Sequence, residues 1–290
     1  MADFLSAYSI QNWLESCPQG YLEGTVYGHQ PGEEEIALLK SNEVLHQDAI
    51  RTTVQLIAGE RCALAASSGL INSAPDEASK RFLATQTLDE ARHVEIFTHR
   101  LYDLGVPKDE LEATITRYAN PNLVKFASIL LEKVDKKDFI AGVVGQNIVL
   151  EGMAFSVFEM MYALNQEMNP KFAHTLSGTI ADERRHVGFG ENRIGSLIKE
   201  HPERKPEIER MQKDMSYFML ATFADAFRNN DSVAELERIG QERSHTRYQG
   251  ADLGAMSPEE MEGLLADTVL KEFKTRLGRI GIEYQTPVRP

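Results

Sequence analysis

Apolar residues recur along most of this chain at helical rather than strand spacing. From about Glu33 to Asn72, Leu38, Leu45, Val54, Ile57, Leu64 and Leu70 mark one face of a long helix. Ser73, Ala74 and Pro75 end it, and a second helix is predicted from about Asp76 to Leu104, stopped by Gly105, Val106 and Pro107. Residues 107–137 read as shorter helices, interrupted near Asn120-Pro121-Asn122. A third long segment runs from about Lys137 to Asn165, and Pro170 opens a fourth that continues to about His201. Segments 206–229, 232–249 and 258–277 give three more helices, and the tail GIEYQTPVRP reads as extended. Residues 1–30, broken by Gly20, Gly24 and Gly28 with Pro31 just beyond, read as irregular or as short helices. The pattern predicts one all-α domain over 1–290, with a four-helix bundle over about 35–200 and accessory helices over about 206–277. Gly59 and Gly152 fall inside long helices, where close packing beside a site would justify them.

Composition narrows the setting. The 290 residues carry a net charge of −13 and 42 % apolar content. A spread negative field argues against nucleic-acid partners and anionic membrane surfaces. No run approaches the length of a membrane span, and MADFLSAYSIQ has no basic, apolar leader, so no membrane insertion and a cytoplasmic location are expected. The two cysteines, Cys17 and Cys62, form no CxxC motif and suit a reducing compartment. Walker and Rossmann glycine spacings are absent, as is any flavin or ferredoxin signature.

The chemistry lies in a repeated cassette, LDEARHVEIF at 88–97 and ADERRHVGFG at 181–190. On a helix, positions three apart share a face, so Glu90 sits over His93 and Glu183 over His186. Apolar flanks on both cassettes imply burial, and buried charges need partners or a metal. The helix before each cassette supplies one glutamate in an apolar run: Glu60 in QLIAGERCALAAS and Glu151 in VVGQNIVLEGMAFSVF. The two halves have the same order and nearly the same spacing. Glu159 is the competing candidate, but the symmetry favours Glu151. Four carboxylates and two imidazoles suit two ions of iron or manganese in a four-helix bundle; zinc does not require six ligands, and calcium does not select imidazole. Asp89 and Asp182 are placed to accept the second N–H of the opposite cassette's histidine, with Arg92 and Arg185 pairing with these acids. His29, His46, His99, His174, His201 and His245 show no such pairing and read as surface or capping residues.

DEARH, DERRH and LEGMAF at 150–155 resemble signatures of the ferritin-like dimetal-carboxylate superfamily. The likeness leans to the branch of the ribonucleotide reductase small subunit, soluble multicomponent monooxygenases and acyl carrier protein desaturases. It implies a ferritin-like four-helix bundle core with additional N- and C-terminal helices, and metal ligands Glu60, Glu90, His93, Glu151, Glu183 and His186. It also implies two iron ions, or one manganese and one iron, with dioxygen as co-substrate and an external electron donor. By the same resemblance, Glu151 or Glu183 is the carboxylate that shifts between bridging and terminal binding.

Several positions depart from the named subgroups. Phe97 stands where the reductase small subunit has its radical tyrosine, which excludes a tyrosyl radical there. Ala63 and Gln146 replace the cross-linked valine and tyrosine of the ligand-binding oxidases, Phe155 a monooxygenase threonine, and Thr179 the third histidine of arylamine oxygenases. Ala63, Phe97, Phe155 and Thr179, with Ala154, Phe158 and Ile180, are candidates to line an apolar substrate pocket, Phe97 and Phe155 foremost. The leading expectation is an O2-activating oxidase or oxygenase acting on a small, partly apolar molecule, in a homodimer served by a reductase or small donor. A reductase-like radical subunit and an iron-storage protein are the alternatives.

Overall fold

The computed structural model describes residues 28–29, 32–228, 232–239 and 247–288. Cys17, Gly20, Gly24, Pro31 and His245 lie outside the described residues. The helices are α1 (Ala37–Ser41), α2 (Glu43–Leu70), α3 (Glu77–Asp103), α4 (Leu111–Tyr118), α5 (Pro121–Asp135), α6 (Phe139–Val143), α7 (Glu151–Met168), α8 (Pro170–Glu200), α9 (Lys205–Arg228), α10 (Ser232–Arg238) and α11 (Pro258–Arg279). A π-helical stretch, Val144–Leu150, joins α6 to α7, so the third long segment is one continuous run with a widened turn just before Glu151.

Local chemistry sets the boundaries. Asn42 interrupts the predicted 33–72 helix, because its side chain accepts from Leu45 N at 3.1 Å and caps α2. Asp76 caps α3 through Ser79 N, and Asn169 caps α8 through Phe172 N, with Pro170 in the first turn. Ser257 and Glu260 form a reciprocal capping box at the start of α11. The predicted 232–249 helix ends at Arg238. Arg247–Tyr248 instead pairs antiparallel with Ala251–Asp252 as β1 and β2, the turn made by Gln249 and Gly250 at φ 51° and 85°. Gly281, at φ 80°, ends α11, and no regular element follows through residue 288.

The four long runs form the bundle. α2 packs along α3 and α7 along α8, while α9 covers α5 and the π-helical stretch and α11 covers α7. One apolar cluster, with Leu70, Leu83, Leu130, Met153 and Phe273, fills the side toward α9 and α11. A second, with Ile57, Phe97, Phe155, Phe158 and Ile180, fills the other. Phe139–Met168 is apolar enough to span a membrane by length and composition, with mean hydropathy 1.4, yet 83 % of that window is buried inside the fold. Its apolarity belongs to the core. Gly59 has open space beside it. Gly152 meets its neighbours only at ordinary contact distance, and the close approach nearest the cluster falls at Gly190, where an added Cβ would lie 2.5 Å from Asn147 Cβ; its absence lets α8 sit against the π-helical stretch.

Candidate metal centre

All six glutamates and histidines singled out in the sequence converge in the middle of the bundle, and each is buried to at least 95 %. Glu60 comes from α2, Glu90 and His93 from α3, Glu151 from the start of α7, and Glu183 and His186 from α8. Their donor atoms form two overlapping groups, each within 4.8 Å: Glu60, Glu90, His93 and Glu183, then Glu90, Glu151 and His186. Glu90 faces both histidines, with Oε2 3.5 Å from His93 Nδ1 and Oε1 3.3 Å from His186 Nδ1. Glu183 does the same at 3.5 Å and 3.6 Å. Glu60 approaches only His93, at 3.4 Å, and Glu151 only His186, at 3.9 Å. The middle carboxylates therefore span the site and the outer two close its ends.

The outer nitrogens of the imidazoles are held across the cassettes. His93 Nε2 lies 3.2 Å from Asp182 Oδ2, and His186 Nε2 lies 3.1 Å from Asp89 Oδ2. This contact fixes both ring orientations and turns each Nδ1 inward. Arg92 donates to Asp182, and Arg185 donates to Asp182 at 2.6 Å and to Asp89 at 3.0 Å. Glu159 is not part of the cluster; half-buried, it lies near Arg184 and Arg276.

Such a donor set fits a metal pair. Glu90 Oε2, Glu183 Oε2 and His186 Nδ1 are buried without a hydrogen-bond partner and point into the cluster, a costly state unless a cation satisfies them. Electrostatics agree. Burial, which outweighs the opposing pull of His93, pushes the Glu60 carboxyl up from 4.5 to about 8. Burial and the neighbouring Glu183 hold Glu151 well above the ordinary carboxylate range. Against the effect of burial, Glu60 and Glu90 raise His93 from 6.5 to about 10. Burial also acts on Glu90, but the two histidines outweigh it and hold this carboxyl down at about 2. Protons thus stand in the cluster where cations would, and metal binding must release them.

This sets a pH dependence. The raised carboxyl of Glu60 stabilises the metal-free fold below its ordinary 4.5, and that contribution is lost as pH rises through about 8. The raised His93 acts in the same direction, its contribution present below 6.5 and lost through about 10. The metal-free chain is therefore expected to melt several degrees lower at about pH 9 than at about pH 6. Bound metal, having displaced the protons, should remove most of the difference. Thermal unfolding with and without Mn(II) at both pH values measures this, and equal metal-free melting points would show that these protons do not stabilise the fold.

Sequence reasoning missed a ring of carboxamides around Glu151. Gln86, Gln146 and Asn147 are fully buried. Gln86 Nε2 donates to Glu151 Oε1 at 2.6 Å and to Glu90 Oε1 at 3.2 Å. Gln146 Nε2 donates to Glu151 Oε1 and to the Ala63 carbonyl, both at 3.1 Å, and Asn147 Nδ2 donates to Glu151 Oε2 at 2.9 Å. Ala63 and Gln146, the two departures from the ligand-binding oxidases, therefore meet through a hydrogen bond. The available signal was two consecutive amides inside the apolar run VVGQNIVL, since buried polar groups require partners.

The expected pocket residues form core rather than a cleft. Phe97 is fully buried and stacks on Phe158 with ring centroids 6.3 Å apart. Phe155 is buried beneath Arg276, whose guanidinium lies 4.9 Å from the ring centroid. Thr179 is buried with no partner for its hydroxyl. A cleft of about 1450 Å³ does open beside α2 and α7, lined by Arg51, Tyr118, Met160 and Leu164 among others. None of the six cluster residues lines it, nor does Ala63, Phe97, Ala154, Phe155, Phe158, Thr179 or Ile180. His29 also departs from expectation: it is buried between Glu33 and Asp103, at 2.8 Å and 3.3 Å.

No family model and no curated protein matches this sequence. Among solved structures, the fold is similar to a variant of the R2-like ligand-binding oxidase with an aerobically reconstituted Mn/Fe cofactor. That match has a TM-score of 0.64 and 16 % identity over 83 % of this chain and 82 % of that one. It is also similar to Protein 19 with aldehyde deformylating oxidase activity from Synechococcus, with a TM-score of 0.61 and 16 % identity over 84 % of this chain and 94 % of the other. The fold is the all-α ferritin-like bundle.

Proposed function

We propose that the chain is a non-haem dimetal oxidase or oxygenase, an O2-dependent oxidoreductase acting on a small, at least partly apolar organic molecule. The observation that carries this reading is the two-lobed cluster of four glutamates and two histidines, in which Glu90 Oε2, Glu183 Oε2 and His186 Nδ1 point inward without partners and the outer imidazole nitrogens rest on Asp89 and Asp182. The solved oxidases of the same fold support it, one with a Mn/Fe cofactor. Two iron ions, or one manganese and one iron, would be held by Glu60, Glu90, His93 and Glu183 on one side and by Glu90, Glu151, His186 and Glu183 on the other. When bound, the pair would supply the electrons that reduce dioxygen.

The chain's own residues prepare that chemistry. Asp89 and Asp182 orient the imidazoles, and Glu90 and Glu183 tie the two halves together. The cluster of Ile57, Phe97, Phe155, Phe158 and Ile180 excludes water on one flank, which strengthens every charge interaction inside. Inserting one oxygen atom into a substrate leaves the other to be reduced to water. An external reductase or small donor therefore belongs to this reading, as do a homodimer and a cytoplasmic setting. Chemically reduced, iron-loaded protein should consume dioxygen in an oxygen-electrode assay, and His93→Ala and His186→Ala should lose that consumption with their metal. Loaded, reduced protein that left dioxygen untouched would sink the proposal and favour storage.

A further inference from the structure

Resting on the two-ion reading, we propose that Gln86 is a positioning residue that competes with the second ion for Glu90 and Glu151, and so makes the two halves of the centre unequal. Gln86 lies one turn before Glu90 on α3, which brings its amide back over the Glu90 carboxylate. Its single Nε2 bridges two carboxylate oxygens, Glu151 Oε1 at 2.6 Å and Glu90 Oε1 at 3.2 Å. These are also the oxygens by which Glu151 and Glu90 face His186 Nδ1, at 3.9 Å and 3.3 Å, with Glu183 Oε2 between them at 3.6 Å. An ion joining His186, Glu90 and Glu151 therefore calls on the oxygens that this amide already occupies.

The competition is sharpest at Glu151. A carboxylate oxygen has about two lone-pair directions, and Glu151 Oε1 already accepts from both Gln86 and Gln146. Asn147 Nδ2 donates to Gln86 Oε1 at 3.2 Å, which keeps the Gln86 amide turned with its N–H groups toward the carboxylates. Nothing comparable guards the other half. Among the described residues no carboxamide side chain donates to Glu60 or Glu183, and the imidazole that Glu60 faces is His93. The half built on His93 has no amide to displace, whereas the half built on His186 must first give up the Gln86 bridge. The first half fills first and more tightly.

Mn(II) binding isotherms on the whole protein, read by calorimetry and by the loss of the free-ion EPR signal, test this. Wild type should bind in two separate steps. Gln86→Leu removes the competing donor at nearly constant volume. Its second step is expected to tighten about tenfold or more with the first unchanged, because a hydrogen bond to a charged group no longer has to be broken. Its metal-free form should melt lower, since Glu90 and Glu151 then face each other without a donor between them. Gln86→Asn keeps the amide but is one methylene too short to bridge, and should shift the second step in the same direction; it stands in if the leucine variant does not fold. A second step that is unchanged or weaker in both variants, or two steps that move together, overturns the proposal, since the amide would then be a support or a general packing element. Wild type that binds no second ion would overturn the two-ion reading itself, a result distinct from either.

Discussion

Glu90→Ala is expected to remove both metal ions together, a larger loss than truncation of either outer glutamate, Glu60 or Glu151, produces. Glu90 is the one residue present in both groups of converging donor atoms. Its Oε2 faces His93 and its Oε1 faces His186, so truncation takes one oxygen from each half. Glu60 belongs to the first group only and Glu151 to the second only, and alanine at either should cost one ion and spare the other. Elemental analysis after reconstitution with Fe(II) and Mn(II) should return about two ions per chain for wild type, about one for Glu60→Ala or Glu151→Ala, and nearly none for Glu90→Ala. The metal-free protein should suffer as well. Glu90 is the carboxylate that both histidines hold ionised, and deleting one partner of a buried charge cluster costs on the order of 3–5 kcal/mol. Denaturant unfolding of the metal-free forms measures that loss. A Glu90→Ala protein that still held two ions would show that Glu90 is not shared.

Much of this site was legible before any coordinates. The doubled DExRH cassette, with its matching upstream glutamates, picks out the six side chains that the fold gathers. The cross-pairing of Asp89 with His186 and of Asp182 with His93 followed from the same symmetry. These features could be read because helical spacing fixes which residues share a face, and because charges in apolar runs demand partners. The carboxamide ring was not read, because Gln86, Gln146 and Asn147 have no defining spacing and reach Glu151 from two segments. Their convergence depends on the π-helical turn at Val144–Leu150 and on the close seating of Gly190, both products of tertiary packing. The short β1–β2 hairpin escaped for a similar reason: two-residue strands leave no periodicity to detect. Aromatic side chains one turn from ligands suit a pocket wall and a bundle core equally, and Phe97, Phe155 and Phe158 lie packed in one of the two apolar clusters.

The carboxamides also break a symmetry that the sequence suggests. Read as a repeat, the two halves are equivalent: a glutamate, then a cassette. In the fold, Glu60 meets one imidazole, whereas its counterpart Glu151 is gripped by three amides. A repeat that builds one centre from two halves has diverged at the outer carboxylates while keeping the middle ones matched.

Asp182→Ala should weaken the ion on His93 by about 10- to 100-fold, the usual loss when the carboxylate behind a metal-binding histidine is removed. Asp182 is more than a hydrogen-bond acceptor for one ring. It lies on α8 while His93 lies on α3, so the contact sets the orientation of the imidazole and the spacing of the two helices together. Arg92, also on α3, donates to the same carboxylate and makes the tie two-pronged. Asp89→Ala is the mirror experiment, with Asp89 on α3 and His186 on α8, and should weaken the other ion. Chelator competition read step by step therefore separates the two: each aspartate variant loses affinity chiefly in the step of the histidine it holds. Arg185 spans both acids but is 50 % exposed, so solvent screens its charge and Arg185→Ala should have a much smaller effect than either aspartate variant. Asp182→Asn distinguishes orientation from charge. The amide keeps the shape and can still accept from His93 Nε2, but it loses the carboxylate charge that Arg92 and the imidazole share. Affinity near wild type in Asp182→Asn would assign the aspartate to orientation alone, and affinity as low as in Asp182→Ala would assign it to charge. An alanine variant that bound the His93 ion as tightly as wild type would remove the cross-cassette contact from the machinery of the site.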